Sequence, residues 1–335
     1  MTAYIIRRFL WMVPVLLLVT VVTFGAMKLV PGGPFSSDGR PMSPEIRANF
    51  EARYHLDEPV WKQYIRYMVG DFVDTGRFED WGGLLGGDLG PSYKYRGRTI
   101  NNVLFDGGLV RAAVSVSGQL GLLATFIAVG IGIPLGLLSA LKQNTWIDYS
   151  AMFFAMLGVS VPNFVVGLIL MLLMLWLNQN GLPALPLARW GTADFWDWLS
   201  HMILPAIALG TGGSAIIARL TRASMLETIR QDYIRTARAK GLKERAVIVG
   251  HALKNSLIPV TTVLGPLMAA WLTGSFIIEH VFSVPGIGRF FVTSIADRDY
   301  TLIMGTILIY AVVLVIMNIL VDISYAFLDP RIRYD

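Results

Sequence analysis

Apolar and polar positions along this chain are sorted into blocks. Long runs of Leu, Val, Ile, Phe, Ala and Met are separated by polar stretches. Six runs are long enough to cross the roughly 30 Å of bilayer hydrocarbon as helix, one of the few structures that satisfies every backbone group in lipid. The pattern predicts crossings from Phe9 to about Val30, within the uncharged stretch between Arg111 and Lys142, and from Tyr149 to Asn178. Three more are predicted from Leu199 to Ala218, Ser256 to Ile278 and Tyr300 to Val321. Ser160, Pro162 and Asn163 interrupt the third run, and Gly210 to Ala215, with Gly212 and Gly213 at its centre, interrupts the fourth. Backbone that leaves the helix at such depth must line a cavity or be buried in protein, so these five residues are candidate pathway or helix-break positions. In the second run Ala128, Gly132, Gly136 and Ala140 recur every fourth residue and form a small-residue ridge that a neighbouring helix can approach closely.

Composition supports this reading. Of 335 residues, 54% are hydrophobic and 15% charged, with a mean hydropathy of +0.57, whereas soluble domains carry about 25% charged residues. The expected fold is all-α and polytopic, with six transmembrane helices in one embedded bundle. Arg7 and Arg8 precede the first run as in a signal peptide, but the run is too long for one and no A-x-A site follows, so it is read as a retained helix. The chain has no cysteine, which excludes disulfides and thiolate metal sites.

The net charge of +5 is distributed by topology. Arg7, Arg8, Lys142, nine residues from Arg219 to Lys254, Arg331 and Arg333 make fourteen Lys and Arg on one side of the predicted membrane, against Arg189, Arg289 and Arg298 in the short loops opposite. The positive-inside bias then places both termini in the cytoplasm. The segment from Pro31 to Arg111 carries ten basic and eleven acidic residues, and segments of that length translocate largely regardless of charge. Within it, Pro44 and Pro59 stand at the starts of two short helices, the second with Val60, Tyr64, Tyr67 and Met68 at helical spacing. From Thr75 to Gly90 it reads as loop. This outer segment is either a packed cap or a docking surface, and spacing leaves both open. The expected organisation is residues 1–30 (N-terminal segment and first helix), 31–111 (extracytoplasmic insertion), 112–328 (a five-helix core that includes a cytoplasmic loop at 219–255) and 329–335 (cytoplasmic tail).

No catalytic residue, metal ligand set or cofactor site stands out. His55, His201, His251 and His280 are scattered, and there is no H-E-x-x-H, no G-x-S-x-G and no phosphate loop of the G-x-x-x-x-G-K-[ST] type. Glu279 and His280 are adjacent, so on a helix they point in different directions. Lys28, Glu279, Asp322 and His201 all fall near ends of runs, which weakens the alternative reading of a self-sufficient secondary transporter or channel driven by mid-membrane charges.

The basic stretch DYIRTARAKGLKERAVIVGH, residues 232–251, is the most distinctive polar segment. Leu226, Ile229, Tyr233 and Ala237 recur at helical spacing, which predicts one helix from Ser224 to Lys240. Gly241 fits its left-handed cap, and a second helix is expected from Glu244 to about Asn255. A basic amphipathic helix of this kind lies on anionic lipid or docks against a partner protein, and the spacing alone leaves both open. Nucleic acid is a poor partner, since no aromatic residues are interleaved with the charge.

That stretch, extended to LKNSLIP, resembles the cytoplasmic loop of permease subunits of binding-protein-dependent ABC importers, specifically the dipeptide, oligopeptide and nickel group. GDLGPSY at 87–93, IGIPLGLLSAL at 131–141, SVPNFVVG at 160–167 and EHVFSVPGIGRFFVTSIADRDYTLI at 279–303 are similar to the same group, in the same order. The resemblance implies the type I importer permease architecture and a coupling helix over Arg235, Thr236, Ala237, Arg238, Ala239, Lys240 and Gly241. Of the broad importer pattern Glu-Ala-Ala, three residues, Gly, only Ala237 and Gly241 match. It further implies a prokaryotic cytoplasmic membrane, a second homologous permease, two cytoplasmic ABC ATPases that bind the ATP and Mg²⁺, and an extracytoplasmic substrate-binding protein. The cargo would be a dipeptide, oligopeptide, nickel chelate or sugar. The stretch from Thr75 to Gly86 is longer than the group's usual length ahead of GDLG.

Overall fold

The computed structural model describes residues 2–29, 44–70, 82–95, 97–106, 112–187, 189–191 and 194–328. The tail at 329–335 and residues 75–81 of the stretch expected to be longer than usual lie outside these. Among the described residues the regular elements are helices: α1 (Thr2–Leu29), α2 (Pro44–Arg53), α3 (Val60–Val69), α4 (Ile100–Leu104), α5 (Ala113–Leu141), α6 (Trp146–Ser160), α7 (Asn163–Gln179) and α8 (Phe195–Thr228). They continue with α9 (Asp232–Ala239), α10 (Glu244–Ala246), α11 (Lys254–Ser256), α12 (Ile258–Leu272), α13 (Phe276–Val281), α14 (Ile287–Asp297) and α15 (Tyr300–Leu328). Wide π-type turns at Val247–Leu253 join α10 to α11.

Five stretches are long and apolar enough to cross a membrane: Ile6–Leu29, Ala113–Leu141, Phe195–Thr228, Ile258–Val281 and Tyr300–Tyr325. The third predicted crossing is not the straight helix expected from Tyr149 to Asn178. Those residues form α6 and α7, bent by 105° at a short break, the geometry of a broken span or of a re-entrant loop. Val161 is extended (φ −87°, ψ 123°) ahead of Pro162, as the proline ring demands of the residue before it, and the missing proline N–H ends the hydrogen-bond ladder. The expected break at Gly210–Ala215 is absent, because α8 runs through it without interruption.

The chain packs as two compact units. One comprises Phe9–Val116 and Pro285–Val312. Its core contains Leu89, Ile100, Val103, Leu104, Ile287 and Leu302, with a second cluster of Phe24, Met27, Tyr67, Met68, Tyr300 and Met304. α3 starts directly after Pro59, and α4 is closed by a capping box between Thr99 and Asn102. Glu58 accepts from Arg66 at 2.7 and 2.9 Å and from Lys62 at 2.8 Å, and these cations hold its carboxyl at about 2, below the ordinary 4.5. Gly83 (φ +69°) approaches α3's last turn so closely that a Cβ there would lie 2.1 Å from the Gly70 nitrogen.

The other unit comprises Met1–Arg8, Ser117–Val284 and Val313–Asp335. Here the small-residue ridge of α5 is the seat of α8. A Cβ on Gly136 would lie 2.3 Å from the Ala218 carbonyl oxygen, and one on Gly132 would lie 2.7 Å from that of Ser214. Ala128 is fully buried. α15 packs on α12 at Gly265, and the Thr262 and Tyr325 hydroxyls share a hydrogen bond.

Candidate coupling loop and helix break

With 34 residues α8 extends for about 50 Å, well beyond the roughly 30 Å of hydrocarbon. The helix does not continue to Lys240 as its apolar spacing predicts. It stops at Thr228, and a turn at 229–231 starts α9 after an extended Gln231 (φ −70°, ψ 150°). A straight helix would separate Met225 from Ala237 by about 18 Å along its axis. The turn folds α9 back, so that Met225, Ile234, Ala237, Val247, Ala252 and Ala140 of α5 form one core.

On that core the sequence-predicted coupling residues sit as a platform. Arg235, Thr236, Arg238, Ala239, Lys240 and Gly241 are exposed, while Ala237 faces inward at 7% exposure. Gly241 has φ +75°, the left-handed conformation that costs an L-residue roughly 1–2 kcal/mol, and its N–H bonds the Arg238 carbonyl at 2.9 Å. Arg238 reaches across the turn to Glu244 at 2.7 and 3.2 Å. This pairing raises the guanidinium pKa and lowers that of the carboxyl. Asn255 donates to the Tyr233 hydroxyl at 2.8 Å, tying α11 to α9.

One anchor escaped the sequence reading. Asp148, 1% exposed in the first turn of α6, accepts Arg222 of α8 in a two-pronged contact, Nε to Oδ1 at 2.6 Å and Nη2 to Oδ2 at 2.7 Å. Ser139 of α5 also donates to Oδ1, and the Asn144 N–H to Oδ2 at 3.0 Å. Three helices thus meet on one carboxylate, two turns from the end of α8. A signal was present: Asp148 is the single acidic residue between Arg111 and Asp194.

The break and the glycines come together in part. The Asn163 Oδ1 lies 3.0 Å from where a Gly212 Cβ would stand, so Gly212 admits that side chain, and Gly158 seats α6 against Thr211 and Ala215. Ser160 and Pro162 are exposed. Gly213 lies beneath the Trp271 ring, 2.3 Å from a would-be Cβ, so these glycines serve close packing within an intact helix. Glu279 is fully buried and accepts the Ser117 hydroxyl at 2.6 Å, whereas His280 is exposed and stacks on Phe276.

These elements define a class: a many-crossing α-helical membrane protein with a packed, basic, surface-presenting loop between the long α8 and α12. The family described as "Binding-protein-dependent transport system inner membrane component" matches residues 132–334, and the N-terminal family of the same systems matches residues 1–106. The chain is 45% identical over 335 residues to the dipeptide transport system permease protein DppB of Bacillus subtilis, covering 99% of this chain and 98% of that one. It is 40% identical over 334 residues to the oligopeptide transport system permease protein OppB of Salmonella typhimurium, over the full length of both. A solved amino acid ABC transporter, described with histidines, aligns at 21% identity and a TM-score of 0.43, over 63% of this chain and 92% of its own. The chain belongs to the family of binding-protein-dependent transport system inner membrane components. It is a multi-pass inner-membrane permease subunit of an ABC importer.

Proposed function

We propose that this permease forms half of a translocation pathway for di- or oligopeptides, the other half being a second, homologous permease. An extracytoplasmic substrate-binding protein delivers the peptide. Two cytoplasmic ABC ATPases bind ATP and Mg²⁺ and drive the membrane subunits through Arg235–Gly241. Both termini and the loop at 219–255 lie in the cytoplasm. The names of the DppB and OppB relatives support the peptide cargo.

The observation that carries the coupling role is the exposed α9 face on a solid base. Its backing residues Ile234 and Ala237 are fixed in the same core as α5 and α8, so a push on α9 moves these helices with it. Such a handle transmits nucleotide state only if the ATPase contact differs in energy between states. The break at Ser160–Asn163, seated on Gly212, is the segment we place beside the pathway.

Reconstitution tests the proposal. The chain alone in liposomes moves no peptide, with or without enclosed ATP, whereas the complete assembly does. Uptake by the single chain would overturn the subunit reading. Because the chain has no native cysteine, a cysteine in place of Lys243 reports the loop's side of the membrane by labelling with an impermeant maleimide.

A further inference from the structure

Between α6 and α8 lies a groove of about 360 Å³. Met152, Phe153, Met156 and Val159 make its wall, and Tyr149 and Arg219 stand at one end. From Tyr149 to Val159 the wall is about 15 Å long, the hydrocarbon depth of one leaflet. Phe153 and Met156 are exposed at 53% and 63%, so the groove opens onto the outer surface of α6.

Its polar end has the composition of a membrane–water boundary. Trp146 and Tyr149, 83% and 60% exposed, mark the headgroup level where such rings concentrate. Arg222, one turn beyond Arg219, is already held by Asp148. Arg219 is exposed and, among the described residues, has no ion pair. Lys142, exposed in the turn before α6, adds to the positive field on this side. A cation at the mouth of an apolar channel, with an aromatic rim, matches a phosphate above an acyl chain, and basic pockets between crossing helices on the cytoplasmic side are known sites for anionic headgroups. A helix from another protein would fill the wall and leave the guanidinium without an anion.

We infer that this groove holds an anionic phospholipid of the cytoplasmic leaflet, its phosphate on Arg219 and one acyl chain along α6 from Tyr149 to Val159. The site rests on the importer reading only for its sidedness.

The test uses the assembled importer, equilibrated with phosphatidylglycerol and phosphatidylcholine, re-extracted in mild detergent and analysed for retained lipid by mass spectrometry. Wild type retains phosphatidylglycerol preferentially. Arg219→Gln lowers the retained amount at this site about fivefold, the effect of one basic residue near a charged leaflet, while Arg219→Lys keeps most of it. Benzoylphenylalanine in place of Phe153 photo-crosslinks to phospholipid. Equal retention by Arg219→Gln, or a Phe153 crosslink to the second permease, would overturn the site. Peptide uptake by the same wild-type assembly is read separately, so loss of the lipid site leaves the transport reading standing, and the reverse.

Discussion

Ser92 donates its hydroxyl to the carboxylate of Asp299, 207 positions later in the chain. The bond joins two stretches that sequence alone presented as separate, GDLGPSY and SIADRDYTLI. Asp299 is fully buried and also accepts Thr301 Oγ1 at 3.0 Å and the N–H groups of Lys94 and Leu302 at 3.3 Å. Part of this network closes the first turn of α15, where four N–H groups lack helical partners. Asp299→Ala leaves these donors buried without an acceptor and costs on the order of 2–3 kcal/mol. The thermal midpoint of the solubilised chain should fall clearly for Asp299→Ala and less for Ser92→Ala. An unchanged midpoint for Asp299→Ala would show that the network is dispensable.

Gly241 is the second point of leverage. At φ +75° it is closed to proline, whose ring holds φ near −65°, and alanine there costs roughly 1–2 kcal/mol. Gly241→Pro should insert in the membrane normally yet abolish peptide-stimulated ATP hydrolysis by the assembled complex, with Gly241→Ala intermediate. Wild-type coupling in the proline variant would contradict the handle.

For the Asp148–Arg222 pair the single and double changes should diverge. Removing one partner of a buried ion pair costs about 3–5 kcal/mol, because the other charge is stranded, while replacing both with apolar residues is often close to neutral. Asp148→Ala should therefore reduce the yield of folded permease sharply, and Asp148→Leu combined with Arg222→Met should restore part of it, since the Ser139 hydroxyl and the Asn144 N–H still lose their acceptor. If the double variant is as poor as the single one, the pair has a role beyond mutual neutralisation.

Acid should loosen the first turns of α3. The folded pKa of Glu58, about 2, lies below its ordinary 4.5. Its contribution to stability is therefore complete above pH 4.5 and is lost as pH falls toward 2. Hydrogen-exchange protection of α3 amides should drop between pH 5 and pH 3 in the wild type and stay nearly flat in Glu58→Gln. Parallel pH curves for the two would rule out Glu58 as the source.

Much of the architecture could be read from local spacing, because crossing a bilayer imposes a length and a polarity that neighbouring residues carry themselves. Five crossings, the Pro59 start of α3 and the left-handed Gly241 are of this kind. What spacing misread depended on distant partners. The stripe through Leu226, Ile229, Tyr233 and Ala237 suits one helix as well as two, and only packing on Ala140 and Val247 selects the turn between them. Gly212 and Gly213 resemble a break until Asn163 and Trp271 are seen to occupy the space they leave. Asp148 and Arg222 stand 74 positions apart, beyond the reach of any helical period.

The near-contact of Gly70 and Gly83 bears on how this lineage can change. Gly70 and Gly83, thirteen positions apart in the chain, are held against each other, so a change in the number of residues between them leaves both anchoring points where they are. The entropic penalty for a longer excursion rises only logarithmically, about 0.6 kcal/mol per doubling. Extra sequence can therefore be grafted at this junction with little disturbance to the rest of the unit.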